Sequence, residues 1–292
     1  MTLSALIEIF NTHYIQKRLR PTTARGYMVN FRLHILPALS ESIELSEITV
    51  DTLDVLTDAL FDKGLSAKSV LYVHASLRSA LNFAVKRGYL AVSPYGAYDL
   101  PRVPKFRYTV LTPEQLLTFV NSLDGNPIRS AVVLAGFYGL RRGEILGIRP
   151  KEDYNPDTHT LHIQRTVTEV NRKEVITPCK TASSDRFVLI APEDACIFTD
   201  CRTERLYQYT SSMLDHAFKR ALASCEGLPR IRFHDLRHSY ATWMMDSDIN
   251  PKIVSSILGH SSVKVTLDLY SHPQVSMQAR CLALIADKRN ST

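Results

Sequence analysis

Six polar residues on separate apolar segments of this 292-residue chain could together perform phosphoryl-transfer chemistry. Guanidinium groups bind phosphate oxygens through paired N–H donors, lysine and histidine move protons, and a tyrosine hydroxyl can act as a nucleophile. In chain order, the residues are Arg141 in GLRRGE, Lys180 in PCKT, His234 and Arg237 in HDLRH, His260 in LGHSS, and Tyr270. They are the groups that a tyrosine would need in order to cleave a phosphodiester without a metal ion.

These motifs resemble those of the tyrosine recombinases, also called phage integrases, in residue type and in order. They extend from Gly139 to Tyr270, across most of the C-terminal two-thirds of the chain. Any one motif alone could occur on an unrelated helix, but the ordered set is specific. Tyr270 follows His260 by ten residues, a spacing common among integrase-like members.

The resemblance implies a role for each of the matching residues. Arg141, Arg237 and His260 are expected to stabilise negative charge on the nonbridging oxygens of the phosphate. Lys180 is expected to protonate the leaving 5′ oxygen, and His234 to help accept the proton of the tyrosine hydroxyl. Because His234 and Arg237 are three residues apart, both would face one target on a helix.

Tyr270 is the nucleophile that the resemblance implies, and its product is a 3′-phosphotyrosyl link with a free 5′ hydroxyl. A partner strand's hydroxyl would reverse the attack, so the expected reaction needs no cofactor, ATP or metal. Glu144 resembles the acidic residue that supports the site in relatives. Arg142 would point about 100° away from Arg141 on a helix, which predicts a structural role or a backbone contact.

Two residue assignments have competitors within the sequence. His234 and His238 are four residues apart and could instead bind zinc, although the glutamate typical of such a motif is missing and a third ligand is not evident. The sequence therefore favours a site without metal. Lys173 is close enough along the chain to compete with Lys180 for the role of general acid.

The N-terminal residues 1–100 predict a bundle of helices. Apolar residues recur at helical spacing in two stripes, Leu3, Leu6, Ile7, Phe10 and Tyr14, and then Val70, Val73, Leu77, Leu81 and Val85. Thr22 or Thr23 could cap an intervening helix, and Gly64 and Gly88 would end two others. The resemblance implies that this region is a SAM-like core-binding domain.

Residues 101–112, with Pro101 and Pro104, predict a linker, and residues 113–274 a catalytic domain. Thr112 and Pro113 indicate a capped helix start, and helices are expected near 113–123, 127–138 and 140–148. The runs LHIQRTVTEV, KEVIT and RFVLI predict one small antiparallel sheet with Lys180 in a turn, followed by more helices. The expected fold class is mainly α with a small antiparallel β-sheet, the catalytic domain being mixed α+β.

The net charge of +6, from 35 Lys and Arg against 29 Asp and Glu, favours a polyanionic partner only mildly. Basic residues cluster in the N-terminal half and in the linker. Each cluster could be a solvated helix end or a set of phosphate contacts along a duplex. The candidate DNA-binding residues are Lys17, Arg18, Arg20, Arg25, Lys86, Arg87, Arg102, Lys105 and Arg107.

Neither a membrane span nor a signal peptide is evident, so the sequence predicts a cytoplasmic protein. Five cysteines without a C-x-x-C pair are expected to be free thiols. The chain begins directly with the core-binding-like region. That leaves open whether an arm-binding domain is dispensable or has been removed.

The expected partners are double-stranded DNA recombination sites, and the expected assembly is a homotetramer on synapsed DNA formed from free monomers. Residues 275–292 predict a tail helix that docks on the neighbouring protomer or on its own domain. An excisionase or a host DNA-bending protein could assist. The expected function is integration or excision of a mobile element or phage; the alternatives are a type IB topoisomerase and a catalytically silent DNA-binding protein.

Overall fold

The chain forms two compact units, Met1–Phe106 and Arg107–Thr292. The computed structural model describes residues 1–104, 108–170, 173–179 and 182–269. Helices dominate both units, and the strands described lie in the second. The mainly α fold class with a small antiparallel β component is confirmed.

The N-terminal unit is built from helices joined by loops, and its described residues 97–104 are irregular. Its first two long helices each contain a wider π-helical turn, at Asn11–Ile15 and Phe31–Ile35, which joins α1 to α2 and α3 to α4. Short 3₁₀ turns lie at Leu45–Glu47 and Pro94–Gly96. The α-helices are α1 Leu3–Phe10, α2 Gln16–Arg18, α3 Pro21–Asn30, α4 Leu36–Leu39, α5 Val50–Asp62 and α6 Ala67–Lys86.

Two of the expected helix ends are confirmed, and one expected start is wrong. Gly64 and Gly88 follow α5 and α6 with φ of +76° and +74°, in the left-handed region that suits glycine at a helix end. Neither Thr22 nor Thr23 caps α3, because the helix already begins at Pro21. Proline is favoured at the first helical position, since its missing N–H has no partner there and its φ is preset.

The second unit, called the catalytic unit below because the candidate catalytic residues belong to it, combines helices with five strands in its described residues. The helices are α7 Pro113–Ser122, α8 Arg129–Gly136, α9 Arg142–Gly147, α10 Pro150–Asp153, α11 Cys196–Thr199, α12 Ser211–Ala223, α13 Phe233–Asp246, α14 Pro251–Leu258 and α15 Val263–Leu269. The strands are β1 Tyr154–Asn155, β2 Thr160–Ile163, β3 Arg165–Val170, β4 Lys173–Pro178 and β5 Arg186–Leu189. Short 3₁₀ turns lie at Ala182–Ser184 and Pro192–Asp194.

The strands form two antiparallel sheets instead of the single sheet expected from the sequence. One has the order β1-β2-β5, with Leu161 opposite Val188, and the other is the β3-β4 hairpin. The run LHIQRTVTEV is divided at Gln164, whose side chain turns to donate to Asp153 Oδ1 at 2.7 Å. The continuous β-favouring run therefore conceals a change of sheet, because propensity does not specify which strand pairs with which.

The segment expected to be a linker is partly packed into the catalytic unit. Leu111 is fully buried, its backbone N–H donates to Ser239 Oγ at 3.0 Å, and its carbonyl accepts from Trp243 Nε1 at 2.9 Å. Thr112 then caps α7 as expected, with a reciprocal bond to Gln115. The domain boundaries remain a prediction, but the residues next to Pro113 are anchored.

Within the described ranges, no helix combines the length and the apolar character needed to cross a lipid bilayer. The cysteines described, Cys179, Cys196, Cys201 and Cys225, are free thiols.

Candidate active site

Arg141 lies at the start of α9, as the sequence predicts, and a reciprocal cap holds it there. Its backbone N–H donates to Glu144 Oε2 at 2.9 Å, and its guanidinium Nη1 donates to Glu144 Oε1 at 2.5 Å. The other terminal nitrogen, Nη2, donates to the carbonyl of Gly259 at 2.7 Å. The side chain is 32% exposed, so part of the guanidinium is accessible to a ligand.

Arg237 lies on α13 and is buried, with only 2% of its surface exposed. Its Nη1 donates to the carbonyl of Gly139 and its Nη2 to the carbonyl of Leu258, both at 2.6 Å. Burial, followed by repulsion from Arg141, lowers the pKa of this guanidinium well below its usual value. A guanidinium nevertheless keeps its proton in proteins, so Arg237 places a buried positive charge near that of Arg141.

Three guanidiniums converge on the C-terminal end of α14, and we call them the arginine collar. The last carbonyls of a helix lack partners within the helix and form the negative end of its dipole. In the collar, Arg186 Nε (2.6 Å), Arg237 Nη2 (2.6 Å) and Arg141 Nη2 (2.7 Å) donate to the successive carbonyls of Ile257, Leu258 and Gly259. The collar thus anchors the chain directly before His260.

Glu144 is a buried carboxylate, 3% exposed, that links two members of the collar. Besides binding Arg141, it accepts a forked pair from Arg186, with Nη1 to Oε1 at 3.1 Å and Nη2 to Oε2 at 3.0 Å. Burial opposes its ionisation, but hydrogen bonding and charge from Arg186, then Arg141, outweigh it and lower the pKa of the carboxyl. Three guanidiniums against one carboxylate leave this group of four side chains with excess positive charge.

Two glycines provide carbonyls for the collar in places where no side chain fits. Gly139 has φ of +66°, and a Cβ there would lie 2.7 Å from side-chain atoms of Leu258 and Tyr240. Gly259 has φ of +65°, and a Cβ there would lie 2.8 Å from the carbonyl oxygen of Ser183. Both positions require a left-handed backbone and close packing, which glycine alone tolerates well.

His260 follows the left-handed Gly259 at the end of α14, the helix boundary expected from the sequence. Its Nδ1 is 2.8 Å from the hydroxyl of Thr266 on α15, and Thr266 is 1% exposed. Burial, then the charges of Arg237 and Arg141, lower the pKa of the imidazole to about 3. The ring is therefore neutral at physiological pH.

His234 and His238 lie on consecutive turns of α13, with their rings edge to face and 4.7 Å apart. Desolvation by neighbouring groups, then the charge of Arg237, lowers the pKa of His234 to about 4, although the residue is exposed at the surface. The His238 ring packs against Tyr108 at a tilt, with ring centroids 4.3 Å apart, and its Nδ1 is buried without a hydrogen-bond partner among the described residues. Across all the residues that the structure describes, no group of three His, Cys, Asp or Glu side chains could hold a metal ion.

A cleft of about 810 Å³ lies beside Arg141 and His234, between α9, β3, α12 and the start of α13. Its wall carries the basic residues Arg142, Lys219 and Arg232. Arg142 forms an ion pair with Asp215 on α12, so the two adjacent arginines of GLRRGE have different partners, as expected. Two acidic residues, Glu169 and Asp215, also line the cleft, so its charged lining is basic on balance, which suits a phosphate backbone.

Several of the predicted residues lie outside the described ranges. These are Lys180, Tyr270, Lys105, Arg107 and the tail 275–292. For Lys173, the competitor of Lys180, the backbone lies in β4. Tyr270 comes directly after α15 in the sequence, four residues beyond Thr266.

The basic residues predicted in the N-terminal unit are exposed, and two of the clusters meet on one surface. Arg18 lies over the ring of Tyr14 at 5.7 Å, and Arg87 lies over the ring of Phe83 at 5.3 Å. The Tyr14 and Phe83 rings are themselves in edge contact, with centroids 6.3 Å apart. The clusters, distant in sequence, thus flank the same aromatic group. The exposed members of the predicted set are Lys17, Arg18, Arg20, Arg25, Lys86, Arg87 and Arg102.

Comparison with known families accounts for both units. The family model described as "Phage integrase family" matches residues 109–277, and "Phage integrase, N-terminal SAM-like domain" matches residues 2–58. The chain belongs to the phage integrase family. The resemblance noted in the sequence is thereby confirmed.

Curated relatives of this phage integrase family member include recombinases and an integrase. A protein named tyrosine recombinase XerC-like, from Caldanaerobacter subterraneus subsp. tengcongensis, is 25% identical over 93% of this chain and 79% of its own. Tyrosine recombinase XerD of Pasteurella multocida is 25% identical over 92% of this chain and 93% of its own. The ICEBs1 integrase of Bacillus subtilis is 27% identical, covering 85% and 74%.

Solved integrase structures share the fold of this chain. The Tn1549 transposon integrase in complex with transposon right end DNA superposes with a TM-score of 0.84 at 19% identity, covering 98% of this chain and all of the other. A lambda integrase tetramer bound to a Holliday junction gives a TM-score of 0.67 at 19% identity, covering 90% and 78%. At such identities, the likeness establishes the fold.

Sequence reasoning missed two residues of this integrase site, Arg186 and Thr266. Arg186 and Val188 both lie on the inward face of β5. A charged residue at a position that alternates with exposed ones needs an internal partner, so the strand pattern carried a signal for Arg186. Thr266 gave no comparable signal. Its contact with His260 depends on how the connection that begins at Gly259 places α15 against the end of α14.

Proposed function

We propose that this chain is a site-specific DNA recombinase that integrates or excises a mobile element through a 3′-phosphotyrosyl intermediate. The observation that carries the proposal is the arginine collar, with the accessible guanidinium of Arg141 opening into the cleft beside His234. Buried, oriented guanidiniums favour a reaction in which charge develops on phosphate oxygens.

The charge of the collar suits the transition state of this reaction. Attack by a phenolate on a phosphodiester monoanion produces a five-coordinate phosphorus that bears two negative charges. Arg141, Arg186 and Arg237 against Glu144 carry a matching excess of positive charge. Because the groups are already fixed by carbonyls of α14, little reorganisation is needed when the charge develops.

The two histidines act as neutral groups in this proposal. In the His260 tautomer that this role needs, the Thr266 hydroxyl donates to Nδ1 and the ring presents Nε2–H to a nonbridging oxygen. His234, neutral because its pKa is about 4, accepts the proton of the Tyr270 hydroxyl directly or through water. Both roles use rings that are neutral at physiological pH before the reaction begins.

Tyr270 is the nucleophile of the proposed reaction, and Lys180 its general acid. The tyrosine oxygen forms a bond to phosphorus, the bond to the 5′ oxygen breaks, and the leaving oxygen takes a proton from the lysine. The covalent link keeps the energy of the broken bond, and the 5′ hydroxyl of a partner strand then displaces the tyrosine. Cleavage and rejoining thus require no ATP.

The proposed DNA contacts involve both units, and the proposed assembly is a tetramer on two synapsed duplexes. The exposed basic surface that flanks Tyr14 and Phe83 supplies phosphate contacts. Lys105 and Arg107 extend the basic set next to Arg102. The tail 275–292 links protomers, and an excisionase or a DNA-bending host protein assists directionality. Support comes from the DNA-bound and tetrameric integrases that share this fold.

A type IB topoisomerase is the second candidate, because the same site chemistry could allow strand rotation before resealing. The likeness to XerC-like, XerD and integrase proteins along nearly the whole chain favours the recombinase. A plasmid carrying two copies of a site selected from random duplexes by binding to the full chain separates the candidates. We expect restriction digestion to show exchanged segments. Relaxation without exchange would indicate a topoisomerase, and binding without cleavage a silent DNA-binding protein.

A further inference from the structure

Arg186 ties three segments of the catalytic unit together from a buried position on β5. It is 8% exposed. Its Nε donates to the carbonyl of Ile257 at 2.6 Å, its Nη1 to the carbonyl of Ser184 at 3.2 Å, and its fork to both oxygens of Glu144. The three segments are the end of α14, the connection between β4 and β5, and α9.

We propose that Arg186 is a positioning residue for strand cleavage, one that acts through Glu144 and the end of α14 to place Arg141 and His260. The inference rests on the proposed recombinase function. It assigns to Arg186 a task different from phosphate binding. Its guanidinium nitrogens are engaged by internal acceptors and little of the side chain is exposed, whereas Arg141 is 32% exposed.

Glu144 is the route by which Arg186 affects Arg141. The carboxylate is bound by both guanidiniums, and Arg186 contributes the largest favourable interaction that keeps it ionised. Without Arg186, the buried carboxylate would draw its stabilisation chiefly from Arg141, with a smaller contribution from the charge of Arg237. The guanidinium of Arg141 would then be turned toward Glu144 and partly neutralised, which leaves less charge for the phosphate.

The end of α14 is the route by which Arg186 affects His260. Arg186 Nε holds the carbonyl of Ile257, and a Cβ on Gly259 would lie 3.0 Å from Arg186 Nη1. The guanidinium is therefore part of the surface against which the left-handed turn before His260 is folded. Loss of this support frees the last carbonyls of the helix and the ring that follows them.

Arg165 provides a matched control for an arginine held by carboxylates elsewhere in the catalytic unit. It lies on β3, its side chain is 15% exposed, and it pairs with Asp153 at 3.0 Å and Glu152 at 2.7 Å. Neither carboxylate binds Arg141 or Arg237 in the described contacts. The variants to compare are Arg186→Met, Arg186→Lys and Arg165→Met, each made in the full chain. The melting temperature and the DNA affinity of each are measured first.

The discriminating readout is covalent adduct formation in a single turnover on two nicked suicide duplexes that carry the selected site. One duplex has an ordinary scissile phosphate, and the other a methylphosphonate, in which a methyl group replaces a charged nonbridging oxygen. A residue that acts through Arg141 and His260 matters less when this charge is absent. A loss of folded protein lowers both rates equally.

For Arg186→Met, we expect about a 100-fold loss of rate on the phosphate and under about a tenth of that loss on the methylphosphonate, with DNA affinity nearly unchanged. Arg186→Lys, which keeps the charge but lacks the fork, should fall between this variant and the wild type. Arg165→Met should lower melting and leave both rates near the wild-type values. If Arg186→Met slows both duplexes equally, or behaves like Arg165→Met, the positioning role is wrong. A wild-type chain that forms no adduct on either duplex would instead overturn the proposed function.

Discussion

Arg141 and Arg142 are neighbours in sequence, but their side chains have different surroundings. Arg141 contacts Glu144 and the carbonyl of Gly259, whereas Arg142 pairs with Asp215 across the cleft wall. Adjacent positions at a helix start diverge by about 100°, so only one of two consecutive arginines can join the collar. The pair therefore provides an internal comparison of a proposed catalytic arginine with a structural one.

Replacement of Arg141 by alanine should lower the single-turnover rate of adduct formation by about 10²–10⁵-fold, because a charge-stabilising group of the transition state is lost. Replacement of Arg142 by alanine removes a half-exposed ion pair and one charge of the cleft wall, so it should weaken DNA binding but change the rate at saturating DNA by less than about threefold. Gel analysis of adducts on the suicide duplex measures both. Similar losses for the two variants would mean that Arg141 has no special role.

The histidines lead to a prediction about stability and pH. In the unfolded chain, His260 titrates near its ordinary pKa of 6.5, but in the folded chain burial and Arg237 lower that pKa to about 3. Below pH 6.5 the unfolded state therefore binds a proton that the folded state excludes, and the free energy of unfolding falls as the pH drops toward 4. We expect His260→Gln to lose less stability than the wild type between pH 7 and pH 4.5 in urea titrations. Parallel curves for the two proteins would contradict the lowered pKa.

At the residue scale, the sequence predicted the positions of residues whose context is local. Arg141 was placed at a helix start by GLRRGE, and His260 at a helix boundary by its preceding glycine. Arg186 could not be assigned in this way, because its partners Glu144 and Ile257 are 42 and 71 residues away. Such distant pairings depend on how α9, α14 and β5 assemble, which residue spacing does not encode.

At the element scale, the end of α14 is the feature that organises the site. Three successive carbonyls accept from three guanidiniums, and the left-handed Gly259 turns the chain toward His260 and α15. The dipole and the orphan carbonyls of a helix end thus hold the cationic groups in place without cancelling their charge. The helix serves as a frame for the collar.

Gly259→Ala tests this frame, and Gly227→Ala is its matched control. Both glycines have positive φ, +65° and +79°, so each substitution carries the left-handed backbone cost of about 1–2 kcal/mol. Only at Gly259 does a Cβ also meet the backbone, 2.8 Å from Ser183 O, whereas at Gly227 it meets nothing within 4 Å. We expect both variants to melt earlier and only Gly259→Ala to lose adduct formation. Equal activity of the two variants would remove the argument for the frame.

Element boundaries were less predictable than element types. The start of α7 after Thr112 and the ends of α5 and α6 at Gly64 and Gly88 follow from local capping chemistry. The sequence therefore located them. The division of the strands into two sheets was missed, since it depends on the pairing of β2 with β5, which lie far apart in the sequence, and of β3 with β4. The start of α3 was misplaced because Pro21, one residue before Thr22, already satisfies the first helical position.

At the scale of the whole molecule, the modest net charge conceals a local concentration of basic residues. Arg18 and Arg87 come from opposite ends of the N-terminal unit's sequence and meet beside Tyr14 and Phe83. Composition alone therefore understated the case for a polyanionic partner. The predicted roles of Lys180, Tyr270 and the tail 275–292 concern residues outside the described ranges and remain predictions.

Neutralisation of Arg102, Lys105 and Arg107 to glutamine should weaken binding to all DNA sequences alike. If each contacts one phosphate, the slope of log affinity against log salt should become shallower by about 2–3, because about 0.9 counterion is released per contact. Binding titrations at several salt concentrations, on selected and random duplexes, measure this. A loss confined to the selected duplex with an unchanged slope would indicate base recognition instead.

The most direct test of the whole account is covalent capture of DNA by the full chain in the presence of excess chelator. On a nicked suicide duplex carrying the selected site, wild-type protein should form a 3′ adduct, since the proposed charge stabilisation comes from guanidiniums. Tyr270→Phe should bind the same duplex with nearly unchanged affinity and form no adduct, because the phenyl ring lacks the attacking oxygen. An adduct formed by Tyr270→Phe would contradict the assigned nucleophile, and a strict requirement for added divalent metal would contradict the mechanism.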